Sequence, residues 1–153
     1  VKIAIQTNDF DVSAELAQLR IQHRDVDALA SFVGTVREVT KGVNDVEVTQ
    51  MELEHYPGMT EKSLTVIAQQ AIERWKLKDA VIIHRVGVLQ VTEQIVLVIA
   101  ASKHRGDAFA ACEFMMDYLK TDAPFWKKET TATGAHWVDA RSSDVSALDK
   151  WTR

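Results

Sequence analysis

Two clusters of cations, placed at the two ends of one stretch of the chain, have the residue types that handle negatively charged reactants. The first is Ser102-Lys103-His104-Arg105-Gly106-Asp107, which follows an apolar run and opens a helix. A helix N-terminus presents free N–H groups and the positive end of the dipole. His104 and Arg105 add donors there, so the chemistry of the place is anion binding. The second is Lys120-Thr121-Asp122-Ala123-Pro124-Phe125-Trp126-Lys127-Lys128, at the far end of that helix. Lys120 and Lys127 straddle a proline turn with an aromatic pair between them, and such a turn can bring both amines to one pocket. Clustered cations lower a lysine's pKa, which opens acid–base chemistry near neutral pH. A surface reading competes with this one. Lys120 would complete the helix dipole and pair with Asp117 at i−3, with Phe125 and Trp126 as core. Residues 101–130 hold five Lys/Arg and five Asp/Glu, so composition does not choose between the two.

Other chemistries lack their signatures. The chain has no GxGxxG, no GxxxxGK[ST] and no GxSxG, which removes the usual phosphate-cradling loops and the nucleophile elbow. The histidines, at 23, 55, 84, 104 and 136, show no HxxH spacing and there is no CxxC, so no metal is expected. The single cysteine, Cys112, lies on the apolar face of a predicted helix, where an inert core thiol is the expectation.

The elements that must carry these groups follow from periodicity. Val1–Ile5 reads as a first strand and Ser13–Gln22 as a short helix. Ala30–Arg37 is β-rich, and its Gly34 marks a close approach of another group. Glu38–Asp45 is a polar loop. Val46–Glu54 alternates, but its apolar phase slips between Val48 and Met51, which predicts a bulge near Thr49-Gln50. Thr60 is the expected N-cap of an amphipathic helix with Leu64, Ile67, Ala68, Ala71, Ile72 and Trp75 on one face. Ala80–Leu89 and Ile95–Ala101 form an expected hairpin. A second long helix, Asp107–Lys120, would bury Phe109, Cys112, Met116 and Leu119 and end ahead of Pro124. His136–Ala140 closes the list as a strand. Strands and helices do not alternate regularly, so the expected class is a single α+β domain over residues 1–153.

Composition bounds the rest. The net charge is −4, which argues against a generally basic nucleic-acid or membrane-surface binder and leaves any anion site local. One cysteine excludes a disulfide scaffold, and a reducing, cytoplasmic setting is expected. The longest apolar run, Ile95–Ala101, has seven residues, against the roughly 20 needed to span a bilayer.

Several long strings bear a resemblance. LEHYPGMTEK (53–62), HRVG (84–87), SKHR (102–105), MDYLKT (116–121) and APFWKKE (123–129), with GTVR (34–37) and WVDAR (137–141), resemble the large, catalytic subunit of molybdopterin synthase, the MoaE family. Together they cover the chain from about residue 30 to its end. Residues 1–29 match loosely, and Thr92 stands where the family commonly shows a turn glycine.

The resemblance implies an α/β-hammerhead fold and a homodimer that carries a small ubiquitin-like subunit at each end, a heterotetramer. The small subunit's C-terminal Gly-Gly thiocarboxylate would enter a pocket of this chain. There it would give sulfur to cyclic pyranopterin monophosphate (precursor Z), forming the dithiolene of molybdopterin. No resident cofactor or metal is implied. Carried over by motif, Lys120 and Lys127 are the catalytic pair, and Arg37, His104, Arg105, Lys128 and Arg141 bind substrate. A non-catalytic anion-binding or adaptor module that docks a ubiquitin-like partner is the alternative.

Overall fold

The computed structural model describes residues 1–38, 40–41, 46–131, 134–138 and 146–152. The elements run β1 (Lys2–Gln6), α1 (Val12–Gln22), β2 (Ala28–Thr35), β3 (Thr40–Lys41), β4 (Val46–His55), α2 (Met59–Trp75), β5 (Asp79–Arg85), β6 (Gly87–Gln90), β7 (Gln94–Ser102), α3 (Arg105–Asp122), β8 (Phe125–Thr131) and β9 (Gly134–Val138). A 3-10 helix, Leu148–Trp151, follows. This is the α+β arrangement expected from the sequence.

The first sheet has the order β1-β5-β7-β2, with β1 parallel to β5 and the other pairs antiparallel. It is covered on both faces. Ala80, Ile82, Val96, Val98 and Ala100 pack under α2 and α3, while Val81, Ile83, Leu97 and Ile99 pack with Phe10 and Leu19 on the α1 side. Two-sided burial explains why β7 is the longest apolar run in the chain: neither phase of its alternation meets water. The second sheet joins β4, β8 and β9, with β3 and β6 both on the free side of β4. Its inner face closes over Val36, Met51, Leu53 and Leu89.

Two sequence readings of irregular backbone hold. The register of β4 against β8 shifts between Val48 and Gln50, where the phase slip predicts a bulge. At Gly34 a Cβ would stand 2.8 Å from Val96 Cγ1, so only glycine lets β2 lie this close to β7.

Other expectations need correction. The run Ala80–Leu89 is two strands, because the chain turns at Gly87 (φ +90°) and leaves the first sheet for the second. β5 and β7 are still antiparallel neighbours, but β6 lies between them in the chain. α2 begins one residue before Thr60. Gly58 is its N-cap, and the Glu61 carboxylate accepts from the Gly58 N–H at 2.7 Å. Phe109 is 68% exposed. It sits about 100° around the helix from Ala108, off the stripe of Ala108, Ala111, Cys112, Met115 and Leu119 that faces the sheet. α3 runs two residues past Lys120 before Ala123, next to Pro124, takes the extended conformation. Finally, Phe125–Thr131, to which the sequence reading assigns no element beyond the proline turn, is the strand β8 between β4 and β9. Glu38–Asp45 contains β3, and most of the rest of that loop lies outside the described residues.

The turn from β6 to β7 places Thr92 at φ +79°, a left-handed conformation that costs a β-branched residue about 1–2 kcal/mol. Its amide still donates to Val36 O at 2.7 Å, so the turn is tied down despite the strain. Thr92→Gly should therefore raise the unfolding free energy by about 1 kcal/mol, part of the relief being offset by the added freedom of the unfolded chain. Urea unfolding measures this, and a lower midpoint in the variant would contradict the strain.

Candidate active site

The direction of each element decides which cations can meet. β5 and β7 are antiparallel, with His84 opposite Val96, and β2 pairs its last residue, Thr35, with Gln94. His84, the end of β2 and the start of β7 thus share one end of the sheet. α3 leaves the opposite end of β7 and runs back along the sheet, so Lys120 in its last turn returns to the His84 end. Arg37, exposed just past β2, emerges at that end too. Lys120 and Arg37 are therefore both carried to the His84 end of the sheet.

His104 and Arg105 are not. His104 is the extended N-cap of α3, its amide donating to Ser102 Oγ at 3.1 Å, and Arg105 is the first helical residue. Both are exposed. Fifteen residues of unbroken helix put Arg105 about 22 Å along the axis from Lys120. Arg141 lies outside the described residues.

Strand alternation in β8 sorts the remaining groups. Lys127 is opposite Leu53 and Glu129 opposite Met51, both on the inner face, where Leu53 and Met51 are buried. Lys127 Nζ lies 3.4 Å from the Glu129 carboxylate, which is itself buried. Lys128 projects to the other face, its ammonium 5.5 Å from the centre of the exposed Trp137 ring. Adjacent lysines in a strand cannot share a site, and it is Lys127 that belongs with Phe125 and Glu129.

At the junction of α3 and β8, Phe125 stacks on the buried His84 ring, centroids 3.8 Å apart. His84 Nδ1 donates to Arg85 O at 2.8 Å. Burial pushes its pKa down to about 4, helped by the positive charge of Lys120 and of His55. The imidazole is thus neutral at physiological pH, and adds no charge beside Lys120. The turn is braced from α2. The buried Thr60 hydroxyl accepts from Tyr56 N–H at 2.9 Å and donates to Pro124 O at 3.0 Å. That relay ties the LEHYPGMT stretch to the APFWK stretch. Next to it His55, at the end of β4, lies 3.6 Å from Glu61.

Lys120 itself is exposed and has no ion-pair partner among the described residues. The Asp117 carboxylate expected to neutralise it accepts instead from Trp151 Nε1 at 2.7 Å. The surface reading of Lys120 therefore fails at its central contact. Lys120 can meet an anion here, at a braced turn with one neutral ring behind it. Cys112 is a core thiol, its pKa raised to about 11 chiefly by burial. Among the described residues no three His, Cys, Asp or Glu side chains form a metal cluster. Sequence reasoning missed His84, Glu129 and Thr60. Reading FWKKE as a strand would have put Lys127 and Glu129 on one face, whereas His84 gave no signal beyond its place in an apolar run.

Because the folded pKa of His84 lies below the ordinary 6.5, the unfolded chain takes up the proton first as pH falls. Its contribution to stability is whole above pH 6.5 and is lost between pH 6.5 and about 4. Between pH 7.5 and 5.0 this amounts to about 2 kcal/mol. His84→Phe keeps a ring against Phe125 and should remove that part of the pH dependence in urea unfolding. An unchanged slope would place the acid sensitivity elsewhere.

The architecture and the sequence both have relatives. The family model described as MoaE protein matches residues 5–122. The molybdopterin synthase catalytic subunit of Ralstonia nicotianae is 59% identical over 149 residues, 97% of this chain and 83% of that protein. The solved structure of the molybdopterin biosynthesis MoaE protein from Burkholderia ambifaria superposes with a TM-score of 0.84 at 57% identity, covering 100% of this chain and 99% of that one. A chain in a protein–protein complex of subunits 1 and 2 of molybdopterin-converting factor from Helicobacter pylori shares the fold, with a TM-score of 0.73 at 19% identity, over 92% of each chain. A family match over most of the chain, and identity above one half across nearly all of it, make this chain a member of the MoaE family.

Proposed function

We propose that this chain is the catalytic subunit of a molybdopterin synthase, transferring sulfur from the C-terminal thiocarboxylate of a small ubiquitin-like subunit to cyclic pyranopterin monophosphate. The observation that carries the reading is Lys120, a helix-end ammonium without a carboxylate partner among the described residues, beside a buried neutral imidazole. The Helicobacter pylori relative is described as part of a two-subunit complex, which supports a second, smaller subunit here.

The chemistry asks two anions to meet, the thiocarboxylate of the donor and the cyclic phosphate of the acceptor. Fixed cations offset their repulsion, and do so more strongly in a cleft from which water is excluded. Lys120 stabilises the negative charge at the acyl carbon of the donor tail as sulfur leaves it. Lys127, held by Glu129, binds the substrate or supplies a proton. Arg37 and Arg141 contact the phosphate and pterin edges, Arg by paired hydrogen bonds. Lys128, on the other face of β8, is assigned to the substrate only through the motif.

His104 and Arg105 are separated from Lys120 by the length of α3. They reach the same substrate if they come from the second protomer of a homodimer. Their helix N-terminus then supplies backbone N–H groups to the phosphate.

Lys120→Ala should lower conversion by about 10²–10³-fold, the effect of losing one well-placed transition-state charge, with the unfolding midpoint unchanged. Normal turnover with purified thiocarboxylated partner would sink the catalytic assignment of Lys120 and restore its surface reading. The shared site is tested by complementation. Mixing inactive Arg105→Ala with inactive Lys120→Ala under subunit exchange should regenerate activity, because one site of each heterodimer then has both residues. Verified heterodimers that stay inactive would confine each site to one protomer.

A further inference from the structure

The 3-10 helix Leu148–Trp151 is seated on α2 and α3 by contacts unlike those of a loose terminal segment. Trp151 meets Trp75 and Phe114 edge to face, with centroids 5.7 and 5.6 Å apart. The Arg74 guanidinium stands 5.0–5.7 Å from the rings of Trp75, Phe114 and Trp151, and Nη1 donates to Trp151 O at 3.0 Å. This seat aims two donors at one carboxylate oxygen. Asp117 Oδ2 accepts from Trp151 Nε1 at 2.7 Å and lies 3.2 Å from Lys150 Nζ. Lys150 also pairs with Glu113, one helical turn nearer the start of α3.

Asp117 is three residues before Lys120, the spacing at which a helical carboxylate and ammonium pair with each other. In this structure they do not: among the described residues Lys120 has no ion pair, and Asp117 is engaged by the C-terminal turn. A carboxylate on the Lys120 amine would cancel the positive charge that an anionic sulfur donor needs.

We propose that the C-terminal helical turn is a positioning device for Lys120, in which Trp151 and Lys150 hold the Asp117 carboxylate so that it does not pair with the Lys120 ammonium. The inference rests on the catalytic reading of Lys120 and adds residues that touch neither donor nor substrate. It makes the turn Leu148–Trp151 part of what sets the charge around Lys120.

The test is the double variant Trp151→Phe/Lys150→Met, which keeps an aromatic ring in the seat and removes both donors to Asp117. Two measurements are made. One is single-turnover conversion of cyclic pyranopterin monophosphate by the assembled two-subunit enzyme. The other is the rate at which acetic anhydride labels Lys120 in the isolated subunit. Released Asp117 should slow labelling about twofold, the strength of an exposed pair one turn apart. It should slow conversion more, about tenfold, because the occupied cleft screens charge less. Adding Asp117→Asn should restore both rates, and Asp117→Asn alone should leave both near wild type. A merely structural role for Trp151 would not be rescued by removing a charge from α3, so loss without rescue overturns the proposal. So does a double variant that labels and converts like the wild type. If Lys120→Ala itself turns over normally, the catalytic reading falls and the consequence for conversion falls with it. The labelling rate still distinguishes that failure from a failure of the pairing.

Discussion

Burial of β5 and β7 on both faces is the constraint from which the rest of the molecule follows. With both phases of these strands closed to water, α1 must take one side and α2 with α3 the other. α3 follows β7 directly, so it must return antiparallel along the sheet, and its 18 residues span the strand from end to end. The two cationic clusters at its ends are thereby fixed at opposite ends of the helix. Lys120 is carried to His84 by the length of a helix, with no loop to bend it elsewhere.

The turn beyond α3 is built with the same rigidity. Pro124 forces Ala123 out of helical geometry, the Thr60 hydroxyl holds the Pro124 carbonyl, and Phe125 locks against His84. These groups come from α2, β5 and the segment that opens β8, and three of the motif strings supply them. A preorganised lysine needs such a frame, since a site loses catalytic power when its charges must be gathered at the moment of reaction. Those strings thus hold one another in place.

Most of the fold was legible because its signals are local. Alternation located β4 and its bulge, 3.6-residue periodicity located α2, and Pro124 bounded α3. What escaped were features decided at a distance. Gly87 splits the stretch Ala80–Leu89 because Leu89 is needed under the second sheet and Ile83 under the first. β8 carries two lysines and a glutamate in seven residues, so its pattern reads as a polar turn. Only its neighbours β4 and β9 make it a strand. Of the site, the lysines and the helix N-terminus were visible as residue types, whereas His84 was hidden because a buried neutral histidine has the same surroundings as a core residue. Asp117 was misassigned for a related reason: its helical neighbour at i+3 was visible, and its actual partner, 34 residues on, was not.

A neutral His84 and an engaged Asp117 each remove one electrostatic influence from Lys120. A protonated imidazole behind the amine would repel it and favour the neutral lysine; a free carboxylate beside it would neutralise it from the other side. Burial excludes the first, since the ring has given up its proton to avoid desolvated charge. The C-terminal turn excludes the second by offering Asp117 an indole N–H and another ammonium. In a chain whose net charge is −4, a local positive site cannot rest on overall composition. It has to come from how nearby acids are disposed of, and three of them have partners of their own: Glu129 has Lys127, Glu61 has the Gly58 amide, and Asp117 has Trp151 and Lys150.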